Sequence, residues 1–376
     1  MRTRRYGRTP TQDPGKRVRL RRTIACTVAG LLVIGGGAAG YAYWKLNGNI
    51  KSVDINAQLG TARPPASTNG SFNVLVLGSD SRNGKNGDLA GGETDGTARS
   101  DTAMVVHVNQ AHTRADVVSI PRDTLVARPA CSAVGTGKAV PAAKSVMFNT
   151  AYEVGGPACA VKTTEQLTGL RMDHYVEIDF AGFADLVNSI GGVTVTTTVA
   201  IDDKDSGLHL AAGTHQLNGD QALAFVRTRH GVGDGSDLGR IELQKQMVKS
   251  ILTQIKGMGL TSNPAKLWSV ADKLTKSVTT DSELASVSAL AGLADTLKPI
   301  GPENLDMVTL PVVTAPSDPN RVIPAEPRAA ELWQALAADR AVPESVLSSQ
   351  PANPAEATPS AKAGSTRSGA AGATHR

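Results

Sequence analysis

Aromatic side chains are scarce: Phe, Tyr and Trp together make up 3% of the 376 residues. That is too few for the stacking platforms on which single-stranded nucleic acid is bound. Cysteine is nearly absent, with three in the whole chain, which excludes a disulfide scaffold and any multi-cysteine zinc or iron–sulfur module. No GxxxxGK followed by Ser or Thr, no HExxH and no GxSxG occurs, so P-loop nucleotide binding, gluzincin-type zinc hydrolysis and a serine nucleophile elbow have no support. His174, His209 and His215 show no metal spacing, His230 is a bystander beside arginines, and His107 is expected as a strand-face residue. Excess positive charge is also missing outside one short arm. Nine Lys or Arg against one Asp precede Lys45, whereas the rest of the chain carries 30 against 33. The net charge of +5 therefore belongs to the arm, and no nucleic-acid partner is expected.

After the arm come 22 residues without a charge, Thr23 to Trp44. As a helix at about 1.5 Å per residue this run reaches roughly 33 Å, enough for a bilayer core. Tyr41, Tyr43 and Trp44 stand at its far end, where amphipathic rings favour the headgroup layer, and the cationic arm is retained on the cytoplasmic side. The expected organisation is a cytoplasmic arm (1–22), a transmembrane helix (23–44), a stem (45–70), an extracellular domain (71–340) and a tail (341–376). The tail holds 25 Ala, Ser, Pro, Thr or Gly among 36 residues, too few core formers to offset chain entropy. Cys131 and Cys159 lie in the external part, where oxidation is permitted. A bridge between them and two separate buried thiols are both open.

Within the domain, strands and helices alternate. Phe72–Ser79, Thr102–Val108, Asp116–Ile120, His174–Ile178, Val193–Thr198 and Leu305–Leu310 read as strands. Ser145–Val154, Ala158–Leu167, an amphipathic segment carrying Phe180, Phe183, Val187 and Ile190, Leu238–Met258, two segments over 264–297 and Glu326–Ala338 read as helices. The alternation predicts an α/β fold, an α–β–α sandwich with a central mixed sheet and helices on both faces, preceded by the single membrane helix.

Charges gather at the ends of the apolar strands. Asp80 and Arg82 follow Phe72–Ser79, Arg99 and Asp101 precede Thr102, and Arg122 and Asp123 follow Ile120. Loops at strand ends form the crevices of α/β sheets. A fourth cluster holds Arg227, Arg229 and Arg240 around a Gly-rich loop that leads into a helix, with Gln244 one turn further on the same face. Arginine is permanently charged and bidentate toward phosphate oxygens. Several arginines with few counter-charges call for an anion between them. Asp80 and Asp101 among them suit Mg²⁺ (or Mn²⁺), which takes one or two carboxylates together with waters and substrate phosphates. The set predicts a pyrophosphate ligand with a divalent cation.

The blocks NVLVLGSDSR, RSDTAMVVHV, VVSIPRDT, HYVEIDFAGFADLVNSIGGVTV and LNGDQALAFVRTRH…DLGR, in this order, resemble the LytR-CpsA-Psr family. The resemblance implies transfer of a glycopolymer from a polyprenyl-pyrophosphate carrier onto peptidoglycan, with an apolar pocket for the lipid. It implies metal ligation by Asp80 and Asp101, and catalytic pyrophosphate binding by Arg99, Arg122, Arg227, Arg229 and Arg240. Arg82, Asp123 and Gln244 would join in substrate binding. The implied partners are the carrier-linked glycan, peptidoglycan and the membrane, with the enzyme anchored in the cell membrane and its domain outside. A pyrophosphatase acting on the same carrier and a non-catalytic wall-glycan receptor or regulator are the alternatives. The chain departs from the family after Arg240, where Leu243-Gln244-Lys245 stands in place of Arg-Gln-Gln.

Overall fold

A computed structural model describes residues 36–79, 100–228, 237–259 and 263–349. Its centre is a seven-stranded mixed sheet. In chain order the strands are β1 (Lys51–Val53), β2 (Phe72–Ser79), β3 (Ser100–Val108), β4 (Ala115–Ile120), β5 (His174–Asp179), β6 (Val278–Asp281) and β7 (Leu305–Thr309). Their spatial order is β1-β6-β5-β2-β3-β4-β7. β2 runs parallel to β5 and antiparallel to β3, β3 antiparallel to β4, and β4 parallel to β7. The ends of β2, β4, β5 and β7 and the start of β3 therefore meet at one edge of the sheet, which carries the site.

The period-2 rule divides the strand residues between two faces. Leu75, Leu77, Val105, Val118 and Ile120 join one core with Phe148 and Val161 of the helix region 148–168 and with Leu332, Trp333 and Leu336 near the C-terminus. Val76, Met104, Val106 and Val117 point the other way, toward Val248, Leu252 and Leu297. The helices are α1 (Asn149–Thr168), α2 (Phe180–Ser189), α3 (Gly219–Arg227), α4 (Asp237–Gly257), α5 (Pro264–Ser277), α6 (Val287–Leu297) and α7 (Arg328–Ala337). A separate core forms among α2, α3, α4 and α5, from Leu186, Val187, Phe225, Leu243, Met247 and Val270.

Several boundaries differ from the sequence reading. Residues 145–147 belong to a hairpin strand (Ala143–Met147) paired with Leu125–Arg128, and α1 starts at Asn149. The break expected near residue 156 is real: Gly155 and Gly156 leave helical geometry inside α1, Gly156 at φ +59°. The two segments over 264–297 are helices, but β6 runs between them. Its four residues pair with both β1 and β5, and so short a Thr-rich piece carries little periodicity. The segment expected as a stem contributes β1 to the sheet and buries Ile55 and Leu59 in the main core. Arg63 fastens it further, through a buried ion pair of 2.6 Å to Glu165 and a 2.7 Å hydrogen bond to the Met172 carbonyl. The folded unit also runs past residue 340, since Val342 and Val346 are buried in the main core. Residues 350–376 of the expected tail, and 23–35 of the expected membrane helix, lie outside the described residues. Residues 36–47 are helical, but among the described residues no helix is long and apolar enough to cross a membrane.

Cys131 and Cys159 form a disulfide with a Cα–Cα distance of 5.5 Å. It joins the strand at Cys131–Ser132 to α1 just after its break. A Cβ on Gly155 would meet the Cys159 Cβ at 2.6 Å, so the glycine permits the approach. The bridge closes a loop of 28 residues, worth about 3–4 kcal/mol in the chain-entropy model. Replacing both cysteines by Ser is expected to lower the unfolding free energy by about 2–4 kcal/mol in urea titration. An unchanged midpoint would show that the bridge contributes nothing to stability.

Candidate active site

The start of β3, the helices α2, α3 and α4 and the turn region 203–206 build the site. Asp179 ends β5 in extended geometry and caps α2 with its side chain, accepting from the Gly182 N–H at 2.7 Å. A Cβ at Gly182 would lie 2.6 Å from the Ser277 Cβ, so α2 docks closely on α5. This immediate strand-to-helix turn sets Phe180 over the sheet edge. Asn218 opens α3 with a capping box to Gln221, and nine residues later the helix delivers Arg227 in its last turn. Cations are favoured at that end of a helix. The Arg227 guanidinium lies over the Phe180 ring, 5.2 Å from its centroid. Arg240, in the first turn of α4, is 4% exposed and donates to the Asp101 carbonyl at 3.2 Å.

Asp101, Thr102, Phe180, Val226, Arg227, Arg240 and Gln244 line a polar cavity of about 180 Å³ together with Asp203, Asp205 and Ser206. Thr102, Phe180, Val226 and Gln244 also line a second, apolar tunnel of about 420 Å³. The tunnel runs between the sheet face carrying Val76, Met104, Val106 and Val117 and the α2–α4 face carrying Phe183, Met247, Ile251 and Ile255. Thr102 and Gln244 are its polar lining side chains, and both stand at the neck between the two spaces. The Gln244 amide donates to Thr102 Oγ1 at 3.0 Å and to the Val226 carbonyl at 3.2 Å. It thus clasps β3, α3 and α4 together where the sequence suggested a direct ligand contact.

Arg122 reaches the cavity through Asp101. Its Nη1 donates to Asp101 Oδ1 at 2.7 Å, and its Nε lies 3.6 Å from Asp123 Oδ2. Asp123 in turn lies 3.5 Å from Arg321, giving an alternating row Asp101–Arg122–Asp123–Arg321. Neither Arg122 nor Asp123 lines the polar cavity, so the structure places Asp123 behind Arg122 and away from the expected substrate contact. The turn that carries them is fixed by Thr124, whose Oγ1 donates to the Pro121 carbonyl at 2.6 Å, and by the Asn149 N–H donating to the Arg122 carbonyl at 3.2 Å. Asp80, Arg82, Arg99 and Arg229 lie outside the described residues.

Below the end of β2, the Glu177 carboxylate accepts from Tyr152 at 2.7 Å and from Tyr175 at 2.6 Å. Burial, reinforced by the adjacent Glu177 charge, raises both phenols well above their ordinary range, so they remain proton donors. The Ser79 side chain also bonds Tyr152, which ties α1, β2 and β5 together under the residue that precedes Asp80.

The departure after Arg240 has a structural outcome. Leu243, 1% exposed, packs in the α2–α5 core. Lys245 is buried against Glu242 at 2.5 Å, and burial lowers its pKa. Neither residue lines the polar cavity. Asp203, Asp205, Ser206, Phe180 and Arg321 were missed from sequence. The acidic run Asp202-Asp203-Lys204-Asp205 was the available signal, but nothing local ties it to the strand ends.

A divalent cation fits the donors in part. Asp101 is a hard oxygen donor on the cavity wall, with its side chain about a quarter exposed. Among the described residues no group of three His, Cys, Asp or Glu is placed to hold a metal.

The LytR_cpsA_psr family pattern matches residues 42–338. The chain belongs to the LytR-CpsA-Psr family. Among its LytR-CpsA-Psr relatives, the cell wall biosynthesis protein LcpA of Corynebacterium glutamicum is 30% identical over 319 residues, 78% of this chain and 60% of LcpA. The match to LcpB of the same organism covers 54% of that protein, so the chain spans less than two thirds of these two relatives. A Bacillus cereus protein named polyisoprenyl-teichoic acid–peptidoglycan teichoic acid transferase TagU is 32% identical over 62% of this chain and 70% of its own. The crystal structure of Bacillus subtilis TagV superposes with a TM-score of 0.56 at 24% identity, covering 73% of this chain and 98% of TagV. The LytR-Csp2A-Psr enzyme from Actinomyces oris gives 0.55 at 24%, covering 77% and 96%. These structures share the mixed-sheet α/β fold expected from the sequence.

Proposed function

We propose that this protein is a membrane-anchored phosphotransferase that moves a glycopolymer from a polyprenyl-pyrophosphate carrier onto peptidoglycan outside the cell. The observation that carries the reading is the neck. A polar cavity walled by Arg227 and Arg240 shares Thr102, Phe180, Val226 and Gln244 with an adjoining apolar tunnel. A ligand filling both spaces is a long hydrocarbon with an anionic head, which is the chemistry of a polyprenyl pyrophosphate. The name of TagU describes a transferase acting between a polyisoprenyl-linked polymer and peptidoglycan, in agreement with that ligand.

In this reading the lipid lies in the tunnel and the pyrophosphate lies against the arginines. Arg227 and Arg240 offset the charge that spreads over the phosphoryl oxygens in the transition state. Arg122 holds Asp101 in place, and Asp101, with Asp80, would hold a divalent cation, which supplies further neutralisation of phosphate charge when bound. In the same reading the basic arm and residues 23–44 anchor the chain with its domain outside the membrane, where cleavage of the pyrophosphate bond drives the reaction without ATP.

The test is product analysis of the purified full-length protein given a polyprenyl-pyrophosphate-linked glycan, with and without peptidoglycan. The expected products are glycan joined through phosphate to peptidoglycan, and polyprenyl monophosphate released only when acceptor is present. Release at the same rate without acceptor would make the protein a pyrophosphatase. Binding without turnover would make it a receptor.

A further inference from the structure

The strands Ile201–Asp203 and Leu208–Leu210 form a hairpin whose turn contributes Asp203, Asp205 and Ser206 to the polar cavity. None of the three lines the apolar tunnel. The turn is fixed from both sides. Asp203, 1% exposed, accepts from the Asp205 N–H at 3.0 Å. Ser206 Oγ lies 3.0 Å from Thr228 Oγ1, and the Thr228 hydroxyl donates to the Ala224 carbonyl at 2.9 Å. The contact between the two hydroxyls latches the turn to the end of α3 directly after Arg227.

Resting on the transferase reading, the direction of the reaction gives this turn a role. Phosphoryl transfer keeps the attacking and leaving oxygens roughly in line. The leaving group is the lipid phosphate, which lies on the tunnel side of the neck. The acceptor hydroxyl must then enter from the side of the cavity that does not share the tunnel's lining. Three carboxylates line the cavity among the described residues. Asp203 is buried and holds the turn, and the Asp101 side chain is about a quarter exposed. Asp205 is the exposed one, and a polymeric acceptor arrives from solvent.

We infer that Asp205 is the general base that receives the proton of the acceptor sugar hydroxyl, and that Asp203 is the positioning residue that sets its turn. The acceptor oxygen forms a bond to the phosphorus bearing the glycan. The bridging P–O bond of the pyrophosphate breaks, and polyprenyl monophosphate leaves with the electron pair. The acceptor proton passes to the Asp205 carboxylate.

The experiment compares full-length wild type, Asp205→Asn and Asp205→Glu in transfer from a polyprenyl-pyrophosphate-linked glycan to peptidoglycan, resolving kcat from the KM for the lipid donor. Asp205→Asn is expected to lose about 10²–10⁴-fold in kcat while the donor KM stays within about threefold, and Asp205→Glu is expected to restore part of the rate. Transfer by Asp205→Asn within about threefold of a functioning wild type would overturn the inference and leave the transferase reading standing. A rise in donor KM at unchanged kcat would overturn it as well, by making Asp205 a donor-binding group. A wild type without transfer would remove the transferase reading and this inference together.

Discussion

Replacing Arg240 by Ala is expected to lower the rate of glycopolymer transfer by about 10²–10³-fold, with kcat and not donor affinity carrying most of the loss. Arg240 is 4% exposed and already oriented by its hydrogen bond to the Asp101 carbonyl. It sits in the first turn of α4, so the positive end of that helix adds to its field. A donor fixed in this way needs no reorganisation when charge develops on the phosphoryl oxygens, which is why its removal costs more than an exposed arginine would. Arg227→Ala should act in the same direction, and the double variant should lose less than the product of the two, because both groups serve one transition state. Arg240→Lys keeps the charge but not the planar fork, and is expected to recover little. Thermal melting separates the effect from misfolding. A variant that melts like wild type and transfers at the wild-type rate would rule out arginine stabilisation of the transition state.

Filling the tunnel is expected to have the second largest effect. Val106 lies on β3 with its side chain in the tunnel and is only partly buried, so Val106→Trp adds its ring to open space and leaves the closed core intact. Displacing about three methylene equivalents of lipid, at ~0.8 kcal/mol each, weakens binding of a long-chain donor by roughly 50-fold. A donor truncated to one isoprene unit does not reach the ring and should be used equally well by wild type and variant. The chain-length dependence of KM is the readout, and equal effects on both donors would show that the lipid lies elsewhere.

The sheet was legible in the sequence because its central strands are short, apolar and β-branched, and because Gly and Pro punctuate them. Phe72–Ser79 coincides with β2, and Asp101 and Arg122 stand at the strand ends that the pattern implied, whereas Arg227 ends a helix, α3, that the sequence reading did not contain. Pairing between distant segments was not legible. β1 and β6 are three and four residues long, and their place in the sheet depends on partners a hundred or more residues away. The same distance hid the acidic turn. Asp203 and Asp205 reach the arginines only because their hairpin is latched onto the end of α3, and no local spacing announces that contact. Gln244 illustrates the converse. Its position beside Arg240 was correct, but its amide is occupied by Thr102 and Val226, a use that only packing reveals.

The most direct test of the central claim is a crystal structure of the protein with a short-chain polyprenyl pyrophosphate. Both phosphates are expected within hydrogen-bond reach of Arg227 and Arg240, with the hydrocarbon entering the tunnel beside the Thr102–Gln244 clasp and running below Val106. Phosphates bound away from those arginines, or a hydrocarbon lying outside a closed neck, would contradict it.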